Sequence, residues 1–503
     1  MNTTSRKTAI MLFGIRLMKL CASIIVLMLA AQLFGVGIKR EMWLLSLNFV
    51  TVLNLSIWGP LNETFRAKFI LLKGEEGEVL ALQRTRSLFV VTLIVLGVIV
   101  VLADLFIDPI TRIIAPSYGE MELLEIGIML KWMLWTCIFA QATLLLSSIL
   151  NAYQSFYIPE ICGLVSGILN IAIIYFLSGT IGIYAFVVGN YISVILLLIV
   201  LIYQIKKRNI PLFSTPIKLN WSMYKPFILF SIPFFLPYLV GQANNLIEKS
   251  LSALIGGHTV ASIDYAKKIP EIFQTVLTSV LTTLMVPLLT LKASEGNMID
   301  FRAESKKFIQ LVFLMLILVL PVVQFAALPI SEFLFSSPQI ERKDLVQIAD
   351  LLKYYTYALF PIFGYLIFGL MLLSQGKNKL YAFWGMLAQV IMILINVFCY
   401  KYFGTYTFVS ALIISHTIAA VAMMKYLPRN IIDIGFLKYI VLLIIVYLML
   451  TILHCTISSI FQPIVELLFV FVMTALSIIV AGYLLKLEEI KTLIRIIKSK
   501  LIK

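Results

Sequence analysis

Apolar runs long enough to cross a bilayer recur from one end of this chain to the other, and they leave it few ways to fold. A helix needs about 20 apolar residues to span the hydrocarbon, and about 14 such stretches can be placed along the sequence. The runs are continuous rather than alternating, so they read as helices and not as barrel strands, each satisfying its own backbone hydrogen bonds in lipid. Composition agrees: 61% of residues are apolar and 13% charged, with a mean hydropathy of +1.01. The expected fold class is an all-α polytopic membrane protein. Its first run, residues 9–35, is too long for a cleavable signal and is followed by Lys39 and Arg40 instead of a small-residue cleavage site, so it is expected to stay in the membrane.

The formal charge of +15 does not point to nucleic acid, because polytopic proteins collect Lys and Arg in loops on the cytoplasmic side. Counted by alternate loops with the amino terminus inside, the inner segments hold about 27 basic residues and the outer ones about 10. The inner set includes the loop from Arg66 to Arg86, "KKR" at 206–208 and the tail from Lys486 to Lys503. Both termini are therefore expected in the cytoplasm. The five cysteines are scattered through apolar runs, with no spacing that suits a zinc site or a disulfide framework, so no metal is expected. "SQGKNK" lacks the leading glycine and the hydroxyl of a phosphate-binding loop. That argues against ATP as the direct driver and for no cofactor, leaving a proton or sodium ion, the membrane potential or consumption of the cargo as energy sources.

A polar break, "ILNAYQSFYIPE" at 149–160, precedes "GLVSGILNIAIIYFLSGTIGIYAFVVGN". About 220 residues later "LLSQGKNKLYAFW" precedes "GMLAQVIMILINVFCYKYFGTYTFVSAL", with Gly182 and Gly404 at the second turn of each copy. Six helices separate equivalent positions, an even number, so the copies share one orientation in the membrane: a parallel repeat. The expected organisation is a first lobe over 1–208, a second over 209–430, and two extra helices with a basic tail over 431–503, that is, two pseudo-symmetric six-helix lobes plus two C-terminal helices.

"APSYGEMELLEIGIMLKWML", "SSILNAYQSFYIPE" and "QANNLIEKSLSALIGGHTVASIDYAKKIPEIFQTVLTSVLTTLMVPLL", with Tyr265 and Ala266 in the last, resemble corresponding stretches of the MviN/MurJ-type lipid II flippases of the MOP transporter superfamily. The likeness runs in order over most of residues 8 to 430. It implies a cationic central cavity between two lobes, alternating access, and a bacterial cytoplasmic membrane location. The implied cargo is an undecaprenyl-diphosphate-linked sugar, with a monomer as the working form and other envelope-biosynthesis proteins as further partners. The family's cationic position in the first helix falls on Arg16 or Lys19, and its arginine and glutamate at the start of helix eight fall on Lys268 and Glu271. Two departures stand out. The family's first helix usually carries two arginines, the second followed by aspartate, whereas this chain reads "RLMKLCAS". Its second helix commonly holds an arginine pair where this chain reads "VLNLSIWGPLNETF".

Moving a diphosphate through a low-dielectric core demands cations that replace its lost hydration. Arg16 and Lys19 lie three apart, hence on one helical face, roughly 10–15 Å inside the first apolar run. Each costs about 2.5–3.5 kcal/mol at such depth, so a polar cavity is the expected surrounding, with snorkelling to the surface as the alternative. Gln242, Asn245 and Lys249 form a stripe at the end of helix seven with Glu248 beside it, and Asp264, Lys268 and Glu271 form another at the start of helix eight. Arg16, Lys19, Asn245, Lys249 and Lys268 are the candidate substrate-binding residues, and Glu248 and Glu271 the candidate coupling or cavity acids. The alternative for the helix-seven and helix-eight charges is a solvated outer loop.

The expected function is thus a non-enzymatic flippase for lipid II or a related envelope-glycan precursor. A Wzx-like flippase for surface-polysaccharide repeat units is the nearest alternative. A MATE-like cation-coupled multidrug exporter would need acids where helix one has bases, and a membrane glycosyltransferase would need larger outer loops than "SSPQIERKDLVQIAD".

Overall fold

The computed structural model describes residues 3–428, 431–457 and 462–491; the basic tail beyond Lys491 lies outside them. By packing, the chain forms two units, one ending at Ala261 and one beginning at Ser262. The first contains α1 (Thr3–Phe34), α2 (Ile38–Glu76), α3 (Glu78–Leu105), the short α4 (Ile107–Ile114), α5 (Glu120–Leu134), α6 (Thr136–Ala152), α7 (Tyr157–Ile181), α8 (Tyr184–Lys207) and α9 (Trp221–Ile255). The second holds nearly all of α10 (Thr259–Val280), then a π-helical segment (Leu281–Met285), α11 (Val286–Ser294), α12 (Met298–Phe335), α13 (Arg342–Ser374), α14 (Asn378–Phe403), α15 (Tyr406–Met424), α16 (Leu437–Ile457) and α17 (Pro463–Leu484).

Thirteen helical spans among the described residues are long and apolar enough to cross a membrane, taking α5 with α6 and α10 with α11 as single spans, and α16 adds a shorter apolar stretch. Several outrun the bilayer. The 39 residues of α2 extend ~58 Å, nearly twice a hydrocarbon core, because its charged end from Arg66 to Glu76 stays helical beyond the apolar run.

In the first unit α2 lies along α9, and α1 packs on α7. Leu61, Phe65, Phe69 and Leu72 recur at helical spacing on α2 and bury one stripe against Leu146 and Ile149 of α6, Ile205 of α8 and Phe227 of α9. Phe65 stacks on Phe227 with centroids 5.2 Å apart. Where α2 meets α9, the bare Cα of Gly59 receives the Tyr238 ring, whose hydroxyl donates to Glu63 at 2.7 Å. Asn62 and Gln141 exchange amide hydrogen bonds of 3.1 and 2.9 Å between α2 and α6, each satisfying the other in a span where water is excluded. Because α9 belongs with α2, the packing units divide the chain later than the repeat-based lobes over 1–208 and 209–430 do.

Leu277, Leu281 and Met285 anchor the second unit's core against Leu316 of α12 and Phe363 of α13. Tyr439, Leu442, Val446 and Leu450 of α16 and Ile478 of α17 belong to the same core, so the last two helices are built into this unit.

Backbone geometry repeats along with the sequence. After α6 the Ser155 N–H donates to the Leu150 carbonyl at 2.9 Å, and after α13 the Lys377 N–H donates to Leu372 at 2.9 Å. Both are the six-to-one bond of a Schellman end, with the residue before the donor left-handed: Gln154 at φ 58° and Gly376 at φ 72°. One helix later Gly182 caps α7 at φ 58°, ψ −136°, and Gly404 caps α14 at φ 53°, ψ −133°. The polar break at 149–160 is therefore a helix-joining turn, used at the equivalent place in each half.

That last conformation is open only to glycine, whereas the turn at Gln154 tolerates a side chain at a small cost. Gly182→Ala and Gly404→Ala should each lower stability by about 1–3 kcal/mol, while Gln154→Gly should raise it or leave it level. Thermal unfolding of the purified variants checks this; equal midpoints for the two alanine variants and the parent would contradict it.

Candidate functional site

Arg16 and Lys19 emerge from α1 on the side that packs against α7. There the Lys19 ammonium lies 2.5 Å from Glu160 Oε2, and Arg16 Nε lies 3.4 Å from Glu160 Oε1. Side-chain exposure is 51% for Arg16, 34% for Lys19 and 24% for Glu160, so the carboxylate is the most enclosed of the three. Two cations share one acid. Glu160 sits in the first turn of α7, where the unsatisfied N–H groups of the helix end also favour a negative charge. The cluster therefore lies beside the N-terminal end of α7.

Gly163, one turn on from Glu160, completes the seat. A Cβ built there would stand 2.8 Å from Lys19 Nζ and 3.2 Å from its Cε, so the absence of a side chain lets the ammonium settle against α7.

The α9 stripe divides between two faces. Asn245 is exposed and donates to Gln242 at 3.4 Å, and Lys249 is half-buried. Glu248 is buried with Asn244 and Ser252 on the packed face, its carbonyl accepting from the Ser252 hydroxyl at 2.7 Å. That burial sets Glu248 apart from the exposed end of Asn245, because positions three apart on α9 straddle the boundary of its packed side. Pro226, Pro233 and Pro237 interrupt the ladder earlier in the same helix.

In the second unit Lys268 and Glu271 face each other across one turn of α10 at 4.0 Å, both partly exposed, and Asp264 is half-buried. Lys267 reaches over the Tyr355 ring at 5.2 Å, and Tyr265 is fully buried against Phe335. These residues are in helical packing contact, not in a solvated loop. The polar stripe continues as Thr275 and Thr278 on α10 and Thr282 on the π-helical segment, with Leu277 and Leu281 buried on another face. The structure thus brings together Arg16 with Lys19, Gln242 with Asn245, and Lys268 with Glu271.

Two acids escaped the sequence reading. In the sequence Glu160 reads as a weaker candidate near the inner surface, in the polar break at 149–160, and its partners are 141 and 144 residues away. Its place in the first turn of a helix after a polar break was the available signal. Glu41 is buried at the start of α2, where Oε2 accepts from the Tyr118 hydroxyl at 2.6 Å and Oε1 from the N–H groups of Val260 and Ala261 at 2.9 and 3.3 Å. Burial, and then the neighbouring Glu41 carboxylate, hold the Tyr118 phenol well above its usual range. Nothing local in "KREMW" announces that role.

The profile of the family described as "Lipid II flippase MurJ" matches residues 30–476. No curated protein matches the sequence significantly. Among solved structures the chain resembles a lipid II flippase MurJ in an inward closed conformation, with a TM-score of 0.79 at 16% identity, covering 94% of this chain and 98% of that one. An inward-facing multidrug-resistance MATE transporter of the MOP superfamily gives 0.69 at 14% identity over 80% and 93% of the two chains. A MOP superfamily transporter from Pyrococcus furiosus gives 0.60 at 14% identity over 82% and 92%. The identities are low enough that the likeness to these structures speaks for the fold, and the profile speaks for the family: this chain belongs to the lipid II flippase MurJ family.

Proposed function

We propose that this multi-pass membrane protein carries a polyprenyl-diphosphate-linked saccharide, lipid II in the first instance, across the bacterial cytoplasmic membrane, and that Arg16 and Lys19 on α1 bind its diphosphate. Membership of the lipid II flippase family makes it a transporter rather than an enzyme. The observation that carries the proposal is the placing of Arg16 and Lys19 on one face of α1, both against Glu160 of α7. Cations within a membrane helix are costly unless anionic groups face them. The other candidate ligands are Lys268 on the polar face of α10 and, separately, Asn245 and Lys249 at the end of α9. A diphosphate, with several strong acceptor oxygens, suits such donors, and the saccharide suits the threonine hydroxyls that follow on α10.

A multidrug exporter reading is not favoured. Capturing an organic cation calls for an exposed acid in excess of bases, and α1 presents the reverse. A surface-polysaccharide repeat unit carries the same diphosphate and would meet the same cations, so the sugar is what separates it from lipid II. We further propose that the protein works as a monomer with both termini in the cytoplasm, in accord with the excess of Lys and Arg in alternate loops.

Removing Arg16 and Lys268 together by Arg16→Ala and Lys268→Ala should slow lipid II translocation in proteoliposomes by about tenfold or more, since charge-assisted hydrogen bonds are worth about 1.5–3 kcal/mol each. Undiminished transport by a correctly inserted double variant would contradict the assignment. A fluorescent protein fused after Lys503 should fluoresce in living cells, and a phosphatase fused there should be inactive; the opposite pattern would reverse the orientation.

A further inference from the structure

We infer that Glu63 of α2 and Tyr238 of α9 form the subsite that reads the saccharide of the cargo, apart from the cations that hold its diphosphate. The inference rests on the reading of the cargo as a diphosphate-linked saccharide and assigns the groups that meet the sugar.

The contact between the two residues is built into the helix pair. Tyr238 lays its ring on Gly59, where a Cβ would stand 2.4 Å from two of the ring carbons. That seat brings the phenol to Glu63, one turn along α2, and its hydroxyl donates to Oε2 at 2.7 Å. Glu63 is nonetheless exposed, so its carboxylate keeps Oε1 for a donor from outside the protein. An exposed acid on a membrane-spanning helix needs water or a polar ligand beside it, which makes this edge of the α2–α9 contact a wet one. From Tyr238 the polar edge continues along α9 through Gln242, Asn245 and Lys249, at i, i+4, i+7 and i+11, one side of a helix.

The chemistry of this edge selects a sugar. A carboxylate repels phosphate, so Glu63 is no further ligand for the diphosphate. An organic cation calls for acid in excess of base, whereas the guanidinium of Arg66 is exposed one turn beyond Glu63 and offsets its charge. An acid, a base, a phenol and the amides of Gln242 and Asn245 together suit a neutral group whose hydroxyls and amide N–H groups both donate and accept. The Tyr238 hydroxyl holds the Glu63 side chain in place before the sugar arrives, which lowers the ordering cost of binding.

The test uses the full-length protein in nanodiscs of zwitterionic lipid. The probes are an undecaprenyl-diphosphate-linked disaccharide without a peptide, bare undecaprenyl diphosphate, and undecaprenol as the uncharged control. The parent should bind the disaccharide lipid more tightly than the bare diphosphate. Glu63→Gln should weaken binding of the disaccharide lipid about fivefold, the difference between a charge-assisted and a neutral hydrogen bond, and leave binding of the bare diphosphate unchanged. Tyr238→Phe keeps the ring on Gly59 but removes the hydroxyl, and should weaken the disaccharide lipid by a smaller factor; it decides the matter if Glu63→Gln does not fold. Unchanged binding of the disaccharide lipid in the folded variants, or an equal loss for both diphosphates, would overturn the saccharide subsite while leaving the diphosphate site standing. A loss seen only with peptide-bearing lipid II would move Glu63 from the sugar to the peptide and overturn it as well. If the parent does not prefer either diphosphate to the alcohol, the proposed substrate class fails, and the saccharide subsite fails with it.

Discussion

A cation on an apolar helix must face an acid or water, and the approach of Lys19 on α1 to Glu160 at the start of α7 is how this chain meets that demand. At the centre of a bilayer such a charge would cost about 2.5–3.5 kcal/mol, a sizeable fraction of a domain's net stability. The pair therefore does more than decorate a helix contact. It joins α1 to α7, with the Lys19 ammonium seated where Gly163 has no side chain.

The same rule is applied elsewhere with neutral and acidic groups. Asn62 and Gln141 satisfy one another between α2 and α6, Glu41 is surrounded by a phenol and two backbone N–H groups, and Lys267 rests on the Tyr355 ring. At Arg16, Lys19 and Glu160 the partners are themselves charged, two bases on one acid. In the stretch of α2 where relatives commonly carry arginines, this chain has the Asn62 amide, bonded to Gln141, and the Glu63 carboxylate, bonded to Tyr238.

Most of the helical framework was legible in the sequence because lipid imposes one length and one composition on every span. The repeat was legible too, since Gly182 and Gly404 are required by backbone conformations that no other residue adopts cheaply. Less visible were the features set by tertiary contact. The helical extension of α2 past its apolar run, the short α4 and the π-helical segment before α11 carry no hydropathy signal. At the site, periodicity paired Arg16 with Lys19 and Lys268 with Glu271, because neighbours on one helix follow from spacing alone. Glu160 and Glu41 could not be found that way: their partners lie on other helices, and only the packing of α1 on α7 or the path of the chain back to residue 260 brings them together.

If the cations of α1 serve a lipid-linked diphosphate, depletion of the protein from growing cells, followed by extraction and mass analysis of the inner-membrane polyprenyl lipids, will show it. One undecaprenyl-diphosphate-linked saccharide should accumulate in the inner leaflet while its glycan product declines. Unchanged levels and sidedness of every such lipid after complete depletion would contradict it.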